Sequence, residues 1–168
     1  MAAAELGAIT VGFYTNEARE LLYNINQEGT GARLTVTYGR VGGLARDLPP
    51  NFADRMAAAL TKIRETLSDT EKLLERNRIF IDRMVGVGVI TQEDAVSYGL
   101  TGPLLRATGV KRDLRKDDPY MVYDRFDFDV PVGTKGDNFD RFSVRFEEIR
   151  QSMRIIEQAL CTLPAGPV

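Results

Sequence analysis

Histidine and tryptophan are absent from this sequence, and cysteine occurs once, as Cys161. A single cysteine cannot form an internal disulfide or hold an iron–sulfur cluster, and without histidine a zinc site has almost no ligands to use. The same absence removes the Ser-His-Asp and Cys-His arrangements that usually activate a nucleophile. We therefore expect that this chain binds no metal and no cofactor through its own side chains.

The sequence also lacks any apolar run of about 18 residues, the length that a membrane-spanning helix needs. Its first residues, MAAAELGAITVGF, contain no basic segment of the kind that opens a signal peptide. The chain has 168 residues, of which 43% are hydrophobic and 27% are charged, an ordinary composition for a globular protein. These properties predict one soluble, intracellular domain over residues 1–168.

An overall excess of basic charge is missing as well, since the formal net charge is −2. Proteins that bind nucleic acid usually carry a basic excess, because much of their affinity comes from neutralising phosphates. We therefore expect no nucleic-acid partner. Basic residues are instead concentrated locally, between Gly99 and Gly133, in a stretch that also carries glycines, prolines and aromatic residues.

Three long segments carry apolar residues at steps of three and four, the spacing of one face of a helix. They predict helices over residues 10–28, 50–76 and 138–163. Glycines at 29 and 31 suit the end of the first helix, and Pro50 suits the first turn of the second. Shorter helices are predicted over residues 77–85, 91–98 and 102–109, the middle one with Thr91 as its N-cap. The last long helix has a heptad-like apolar seam, made of Phe142, Phe146, Ile149, Met153, Ile156 and Leu160.

Two segments lack the helical period. Residues 32–43 alternate apolar and polar side chains, which predicts a short strand or an extended connection, with a turn at the glycine pair 42 and 43. In residues 111–135, Phe126, Phe128 and Val130 alternate with aspartates, which predicts an extended edge segment. The predicted fold is therefore mainly α: a helical bundle with short extended or β excursions.

The local basic charge has two interpretations. The basic residues lie next to acidic ones, so they either bind an anion or an acidic partner, or form a network of ion pairs that ties an irregular segment to neighbouring helices. The network is the commoner arrangement, and exposed pairs of this kind stabilise little. The residues concerned are Arg106, Lys111, Arg112, Arg115 and Lys116, beside Asp113, Asp117 and Asp118.

Two glycine-containing motifs begin like nucleotide-binding sequences. GVGVIT, at residues 86–91, lacks the third glycine of the dinucleotide fingerprint and lies between helical segments, so we interpret it as a flexible or tightly packed connection. VGTKGD, at residues 132–137, lacks the spacing of a P-loop, so we interpret it as a surface loop.

Several longer motifs resemble a known family in their order along the chain. They are ELGAIT, GARLTVTYGRVGG, DLPP, GVGVIT, GPLLRATGV, DLRKDDPY, YDRFDFDVPVG, GDNFDRF and RQSMRIIEQAL. Together they are similar to the central part of the 49 kDa-type subunit of respiratory complex I, the NADH:quinone oxidoreductase. The resemblance covers nearly the whole chain, from about residue 5 to residue 168.

The resemblance implies a role inside an assembly. A 49 kDa-type subunit lies in the peripheral arm of a proton-pumping enzyme, on the cytoplasmic side of the bacterial inner membrane, and meets the membrane only through the assembled complex. It helps to form the quinone-reduction cavity beside the terminal [4Fe-4S] cluster, which a neighbouring protein of the complex ligates. Its partners are the other peripheral-arm subunits and the quinone, and its core is related to the large subunit of [NiFe] hydrogenases.

The resemblance also implies roles for individual residues. Glu5, in ELGAIT, aligns with a family acid near the quinone site, where DIGAMT or DLGAIT is common. Leu34 and Thr35 stand where the family often has Met-His. The stretch from Arg106 to Phe128 is expected to dock against sister subunits. Its docking candidates are Arg106, Arg112, Arg115, Tyr120 and Tyr123.

By this comparison the chain corresponds to the middle of a longer protein, without the flanking regions that carry the family's quinone-ligating histidine and tyrosine and complete the cavity. Alone it is expected to be inactive. Two alternatives stay open: a helical scaffold or assembly module without catalytic activity of its own, and a fragment of a membrane-bound, hydrogenase-like large subunit.

Overall fold

A computed structural model describes residues 2–164, and most of this part of the chain is helical. Within these residues the β structure is one short hairpin, so the prediction of a mainly α fold with short extended excursions is confirmed. In chain order the elements are α1 (Ala2–Glu5), α2 (Ile9–Thr30), β1 (Gly39–Arg40), β2 (Gly43–Leu44), α3 (Phe52–Glu75), α4 (Arg78–Met84), α5 (Gln92–Ser97), α6 (Gly102–Ala107), α7 (Leu114–Asp117), a 3₁₀-helix (Tyr123–Arg125) and α8 (Asn138–Cys161).

The chain divides into two compact units. Unit 1 runs up to Leu73 and includes the tail that starts at Thr162, and unit 2 is Leu74–Cys161. The prediction of a single domain over residues 1–168 stays a prediction.

In unit 1, helix α2 begins and ends close to its predicted bounds. It ends at Gly31, whose φ of 83° is left-handed and whose N–H donates to the carbonyl of Gln27. This geometry costs a glycine little, which explains the stop. Gly29 is instead buried within the helix, on a stripe that also contains Val11, Ala18 and Ile25.

The connection after α2 contains the hairpin. Strands β1 and β2 pair antiparallel, with Gly39 opposite Leu44 and Arg40 opposite Gly43. Because Gly43 pairs with the other strand, the tight turn lies one residue earlier than predicted, at Val41 and Gly42, where Gly42 has a φ of 92°. The rest of the predicted alternating stretch is an irregular connection with bends at residues 33–35 and without strand pairing among the described residues.

Helix α3 starts two residues later than predicted. Asn51 has a φ of 60°, and the N–H of Phe52 donates to the carbonyl of Pro49 at 3.2 Å. Pro50 therefore belongs to the turn before the helix and not to its first turn. From there the helix buries one face, made of Ala59, Leu60, Ile63, Thr66, Leu67, Thr70 and Leu74.

In unit 2, the short helices α4 and α5 begin at side-chain caps, whereas α6 begins without one. The Asn77 side chain accepts the N–H of Phe80 at the start of α4, and the Thr91 hydroxyl accepts the N–H of Asp94 at the start of α5. Each cap satisfies a backbone donor that has no partner inside the helix. The prediction of Thr91 as an N-cap is confirmed.

Helix α8 is the longest element of unit 2, and α4 and α6 pack against it. The rings of Phe80 and Phe142 meet edge to face with their centroids 5.1 Å apart, and Phe142 continues to Phe146 at 4.5 Å. The predicted apolar seam is only partly covered, since Ile149 is exposed while the neighbouring flank buries Val144. That flank is covered because α6 and the irregular segment pack there.

The segment predicted as an extended edge, residues 111–135, contains α7 and the 3₁₀-helix in its first half, so the prediction was wrong there. Residues 126–133 have neither helix nor strand, and they pair with a helix. The Gln158 side chain accepts the N–H of Asp127 at 2.8 Å and donates to its carbonyl at 2.7 Å, and Gln151 accepts the N–H of Asp129 at 3.0 Å. Arg154, between the two glutamines on α8, pairs with both aspartates. The side of the segment that faces inward buries Phe128. Helical side chains thus bond the backbone groups that a neighbouring strand would bond in a sheet.

Candidate partner-docking surface

The basic segment of unit 2 is built from α6, α7 and the 3₁₀-helix, joined by irregular chain. Its local shape follows from one side chain, since Asp113 accepts the N–H of Arg115 at 3.0 Å and thereby caps α7. The backbone N–H of Asp113 in turn donates to the carboxylate of Asp117. Side-chain oxygens therefore hold a four-residue helix that has no apolar period of its own.

Arg106 is buried and ties α6 to α8. Its Nε and Nη2 both reach Glu148 Oε1, at 2.6 and 2.5 Å, and its Nη1 donates to the carbonyl of Arg112 at 2.8 Å. The side chains of Arg106 and Glu148 retain only 10% and 17% of their exposure. Removal of either partner would leave a poorly solvated charge without its counterpart. Arg106 thus acts as an internal support of this surface.

Arg115 makes a two-pronged pair with Asp113. Its Nε lies 3.0 Å from Oδ1 and its Nη2 lies 2.6 Å from Oδ2. The guanidinium also lies over the ring of Phe128, 4.9 Å from its centroid, and near the ring of Tyr123. The hydrogen bonds from Arg115 hold the pKa of Asp113 below its ordinary value, although burial opposes them.

The aromatic residues form a chain beside these arginines. The rings of Tyr120 and Tyr123 meet edge to face at 4.9 Å, and Tyr123 continues to Phe126 at 6.4 Å. Burial, together with the neighbouring Tyr120, raises the pKa of Tyr123, so its phenol stays neutral and can donate a hydrogen bond. Met121, next to them, is 87% exposed and has a left-handed φ of 53°.

Arg112 differs from the other two arginines. It is exposed, and in the part of the chain that the structure describes its guanidinium has no hydrogen bond and no ion pair. Its backbone is used, since its carbonyl accepts from Arg106 and its N–H donates to the carbonyl of Val110. Arg112 also lines a cleft of about 390 Å³, which we call the Arg112 cleft. The other residues of this cleft are Thr101, Gly102, Leu105, Arg106, Asp113, Leu114, Arg115 and Tyr120.

The structure therefore brings four of the five predicted docking residues to one cleft. Tyr123 does not line it, but contacts both Tyr120 and Arg115 from behind. The ion-pair interpretation of the basic segment holds for Arg106 and Arg115, whereas Arg112 remains available for a partner.

Glu5 lies in unit 1, at the last position of α1, and is exposed. It is not among the residues of the Arg112 cleft. Leu34 and Thr35 are exposed as well. Like Glu5, these two residues do not line the Arg112 cleft.

Sequence reasoning missed a buried carboxylate that organises the two glycine motifs. Asp137 is fully buried; its Oδ2 accepts the N–H of Gly86 at 2.8 Å, and its Oδ1 accepts the N–H of Asp140 at 2.8 Å. Burial disfavours the charged form, but these backbone hydrogen bonds outweigh it, so the pKa of Asp137 lies below its ordinary value. Its place just before a long helix, where aspartate is a preferred cap, was the available signal.

Arg141 completes the same joint. Its Nη1 donates to the carbonyl of Gly136 and its Nη2 to the carbonyl of Gly88, each at 2.6 Å. A backbone bond adds to it, since the N–H of Ile90 donates to the carbonyl of Gly136 at 3.0 Å. The Asp137 carboxylate, one arginine of α8 and the Ile90–Gly136 backbone bond thus hold the two glycine motifs together.

This joint bears on how the two motifs are interpreted. The GVGVIT motif is held through its backbone at Gly86, Gly88 and Ile90. The side chains of Val87 and Val89 are exposed, so hydrogen bonds and not side-chain packing fix this connection. In the VGTKGD motif, Gly136 and Asp137 are buried against GVGVIT. The prediction of a plain surface loop was therefore wrong for this end of the motif.

In residues 2–164 no cluster of three or more His, Cys, Asp or Glu side chains is arranged to hold a metal ion. Over the same residues, none of the helices combines the length and the apolar composition needed to cross a membrane.

Comparison with known proteins identifies the family. The family model of the respiratory-chain NADH dehydrogenase 49 Kd subunit matches residues 5–168. The chain belongs to this family. The resemblance found in the sequence motifs is thereby confirmed.

Curated relatives of the 49 kDa family agree over nearly all of the chain, and each is named as the D-type subunit of NADH-quinone oxidoreductase. The relative from Sorangium cellulosum (strain So ce56) is 56% identical over 98% of this chain and 41% of its own length. The relative from Myxococcus xanthus (strain DK1622) is 54% identical over 98% of the chain and 40% of its length. The relative from Methylacidiphilum infernorum (isolate V4) is 48% identical over 99% of the chain and 40% of its length. The chain thus spans about 40% of the length of these 49 kDa relatives.

Proposed function

We propose that this chain is the helical centre of a peripheral-arm subunit of NADH:quinone oxidoreductase. In that role it helps to form the quinone-reduction site beside the terminal [4Fe-4S] cluster, on the cytoplasmic side of the bacterial inner membrane. The observation that carries the proposal is the match to the 49 kDa family over residues 5–168, with NADH-quinone oxidoreductase relatives at 48–56% identity.

The surface of the chain supports a role inside an assembly. Several large apolar residues are exposed close in sequence to Arg112, whose guanidinium has no partner among the described residues. Grouped apolar exposure is typical of interaction sites. In the basic segment these residues are Leu114, Tyr120, Met121 and Val122.

The composition supports a division of work between the proteins of the complex. A [4Fe-4S] cluster needs four ligands, usually thiolates, and this chain offers one cysteine, which is exposed. We therefore assign the cluster to a neighbouring protein and the reduction of quinone to the assembled complex.

Within that site, we propose that the Glu5 carboxylate takes the place of the family's acid. Its exposure on α1 means that the substitution Glu5→Gln removes the charge without disturbing a buried contact. In the assembled complex we expect this variant to lower the rate of quinone reduction while NADH oxidation by an artificial electron acceptor stays unchanged. Equal rates of quinone reduction in variant and wild type would overturn this role.

The proposed function is tested by recovery of the complex. A tagged form of the chain is expressed in the bacterium that supplies the complex I proteins, and the purified material is assayed for NADH-dependent quinone reduction. We expect the sister peripheral-arm subunits to copurify with that activity. Recovery of a folded chain alone would contradict the proposal.

A second function is an assembly module without chemistry of its own. It is favoured by the absence of histidine and by the single cysteine. Detectable quinone binding by the purified chain would argue against this second function, because a module that only supports assembly binds no quinone.

A further inference from the structure

We propose that the Arg112 cleft receives an acidic side chain from a sister protein of the complex, and that Arg112 is the ion-pair partner of that side chain. The identity of the sister protein rests on the proposed function; the chemistry of the occupant rests on the cleft itself.

The walls of the cleft are held in place before any partner arrives. Arg106 is fixed by Glu148 on α8, and Arg115 is fixed by Asp113 and by the ring of Phe128. Arg106 also holds the backbone of Arg112 through its carbonyl, at 2.8 Å. A cleft whose walls are already ordered loses little conformational entropy on binding.

The charge of the cleft selects an anionic group. Glu148 and Asp113 neutralise the first two arginines, so the cation that remains is Arg112. Arg115 adds to it, because its pair with Asp113 uses Nε and Nη2 and leaves Nη1 free of partners among the described residues. A carboxylate can accept several N–H donors from a planar guanidinium group.

The rim of the cleft selects a protein as the source of that anion. Leu114 and Tyr120 line it and are 57% and 50% exposed, and Met121, next to Tyr120 in sequence, is 87% exposed. The left-handed backbone of Met121 is uncommon for a residue with a side chain. A small free anion would reach Arg112 and leave these apolar side chains in water. An acidic residue flanked by apolar ones covers both, since apolar contacts that exclude water strengthen the polar contact they surround.

A crosslinking experiment identifies the occupant. The chain is coexpressed with the peripheral-arm subunits of its own bacterium, and the complex is treated with a carbodiimide, which joins a lysine amine to a carboxylate in direct contact. The substitution Arg112→Lys places an amine in the cleft. We expect one new crosslink, absent from the wild type, between position 112 and an Asp or Glu of a peripheral-arm protein.

Lys111 provides the internal control for that crosslink. It is exposed and adjacent in sequence, but it does not line the cleft. A new crosslink from position 112 to a second copy of this chain, or no new crosslink in an assembled complex, would overturn the proposal.

Affinity measurements give an independent test. Truncation or reversal of one member of a desolvated charge pair usually weakens binding strongly. We expect Arg112→Glu to weaken association with the peripheral-arm subunits by about 30-fold or more. Lys111→Glu makes the same change in net charge, and we expect it to weaken association by less than about 3-fold. Circular dichroism of both variants verifies that the chain stays folded, which is expected because both side chains are exposed.

The results separate this proposal from the proposed function. If the wild type assembles and both variants lose affinity equally, the cleft is not the docking site, although the role in the complex stands. If the wild type does not associate with these proteins at all, both proposals fail. The partner's acidic residue can also be changed to arginine. If this change restores the binding of the Arg112→Glu variant, the ion pair is established.

Discussion

At Gly136 the fold has no room for a side chain. A Cβ at this position would lie 2.1 Å from the carbonyl oxygen of Ile90, and the φ of 66° is left-handed. Gly86 has a similar φ of 70°, but a Cβ there would meet nothing within 4 Å. A side chain at either position would therefore adopt an unfavourable left-handed backbone, but only at Gly136 would it also clash with a neighbouring carbonyl.

This difference predicts unequal costs for the same substitution. We expect Gly86→Ala to lower the free energy of unfolding by about 1–2 kcal/mol, the cost of left-handed backbone in a residue with a Cβ. Gly136→Ala should lower it by about 3 kcal/mol or more, because the clash with backbone adds to that cost. Urea unfolding of the two variants measures both values, and equal losses would show that the joint yields to the methyl group.

The Asp137 carboxylate should make stability depend on pH. Its pKa in the folded state lies below the ordinary value of 3.8. The charged form is therefore favoured by folding, so this stabilisation is present above about pH 4 and is lost as the pH falls through the folded-state pKa.

Asp137→Asn tests this dependence. The amide keeps the shape but presents an NH₂ group to one of two backbone donors, Gly86 or Asp140. We expect the free energy of unfolding at about pH 7 to fall by about 1–3 kcal/mol. The gap between variant and wild type should narrow below about pH 4, because the wild-type carboxyl becomes protonated there. Thermal unfolding across roughly pH 3–7 measures it, and a gap that widens in acid would contradict the sign.

At the scale of elements, two glutamines of α8 hold the extended segment in separate places. Gln158 accepts the N–H of Asp127, and Gln151 accepts the N–H of Asp129. Because each glutamine serves a different amide, each substitution has its own local reporter.

We expect Gln151→Ala to speed hydrogen exchange at the Asp129 amide by about 5-fold, the effect of losing a hydrogen bond worth about 1 kcal/mol. Asp127 should be nearly unaffected. Gln158→Ala should give the reverse pattern. Amide exchange followed by NMR resolves the two residues, and acceleration of both amides in either variant would mean that the segment is released as a whole.

Helix prediction succeeded where the helical spacing of apolar residues continued over several turns or where a clear N-cap residue was present. Asn77 and Thr91 mark the starts of α4 and α5, and both are observed. Helix α7 and the 3₁₀-helix Tyr123–Arg125 were missed, since four and three residues cannot show a 3.6-residue period.

At the scale of the whole molecule, a single domain over residues 1–168 requires that units 1 and 2 unfold together. We expect one urea transition, with the same midpoint for amides of α2 in unit 1 and of α8 in unit 2. Two-state behaviour of this kind is usual for single domains of roughly this size. Two separated midpoints, measured by hydrogen exchange at increasing urea, would show that the chain contains two domains.

The sequence by itself determined the mainly helical fold, the bounds of the long helices within a few residues, and the family through its ordered motifs. These features depend on local spacing and on motifs along the chain, so neighbouring residues are enough to predict them. The sequence also restricted the predicted docking surface to one basic stretch. It could not show which arginines of that stretch form internal ion pairs and which one is available to a partner.

Only the tertiary structure decided which of those arginines is available to a partner. Arg106 is used by Glu148, 42 residues further along, and Asp137 holds Gly86, 51 residues before it. No sequence pattern predicts contacts between residues so far apart along the chain. They form only because α6 and the two glycine motifs pack against α8 in the folded protein. Arg112 remains unpaired among the described residues because no carboxylate of unit 2 reaches it once these contacts are made.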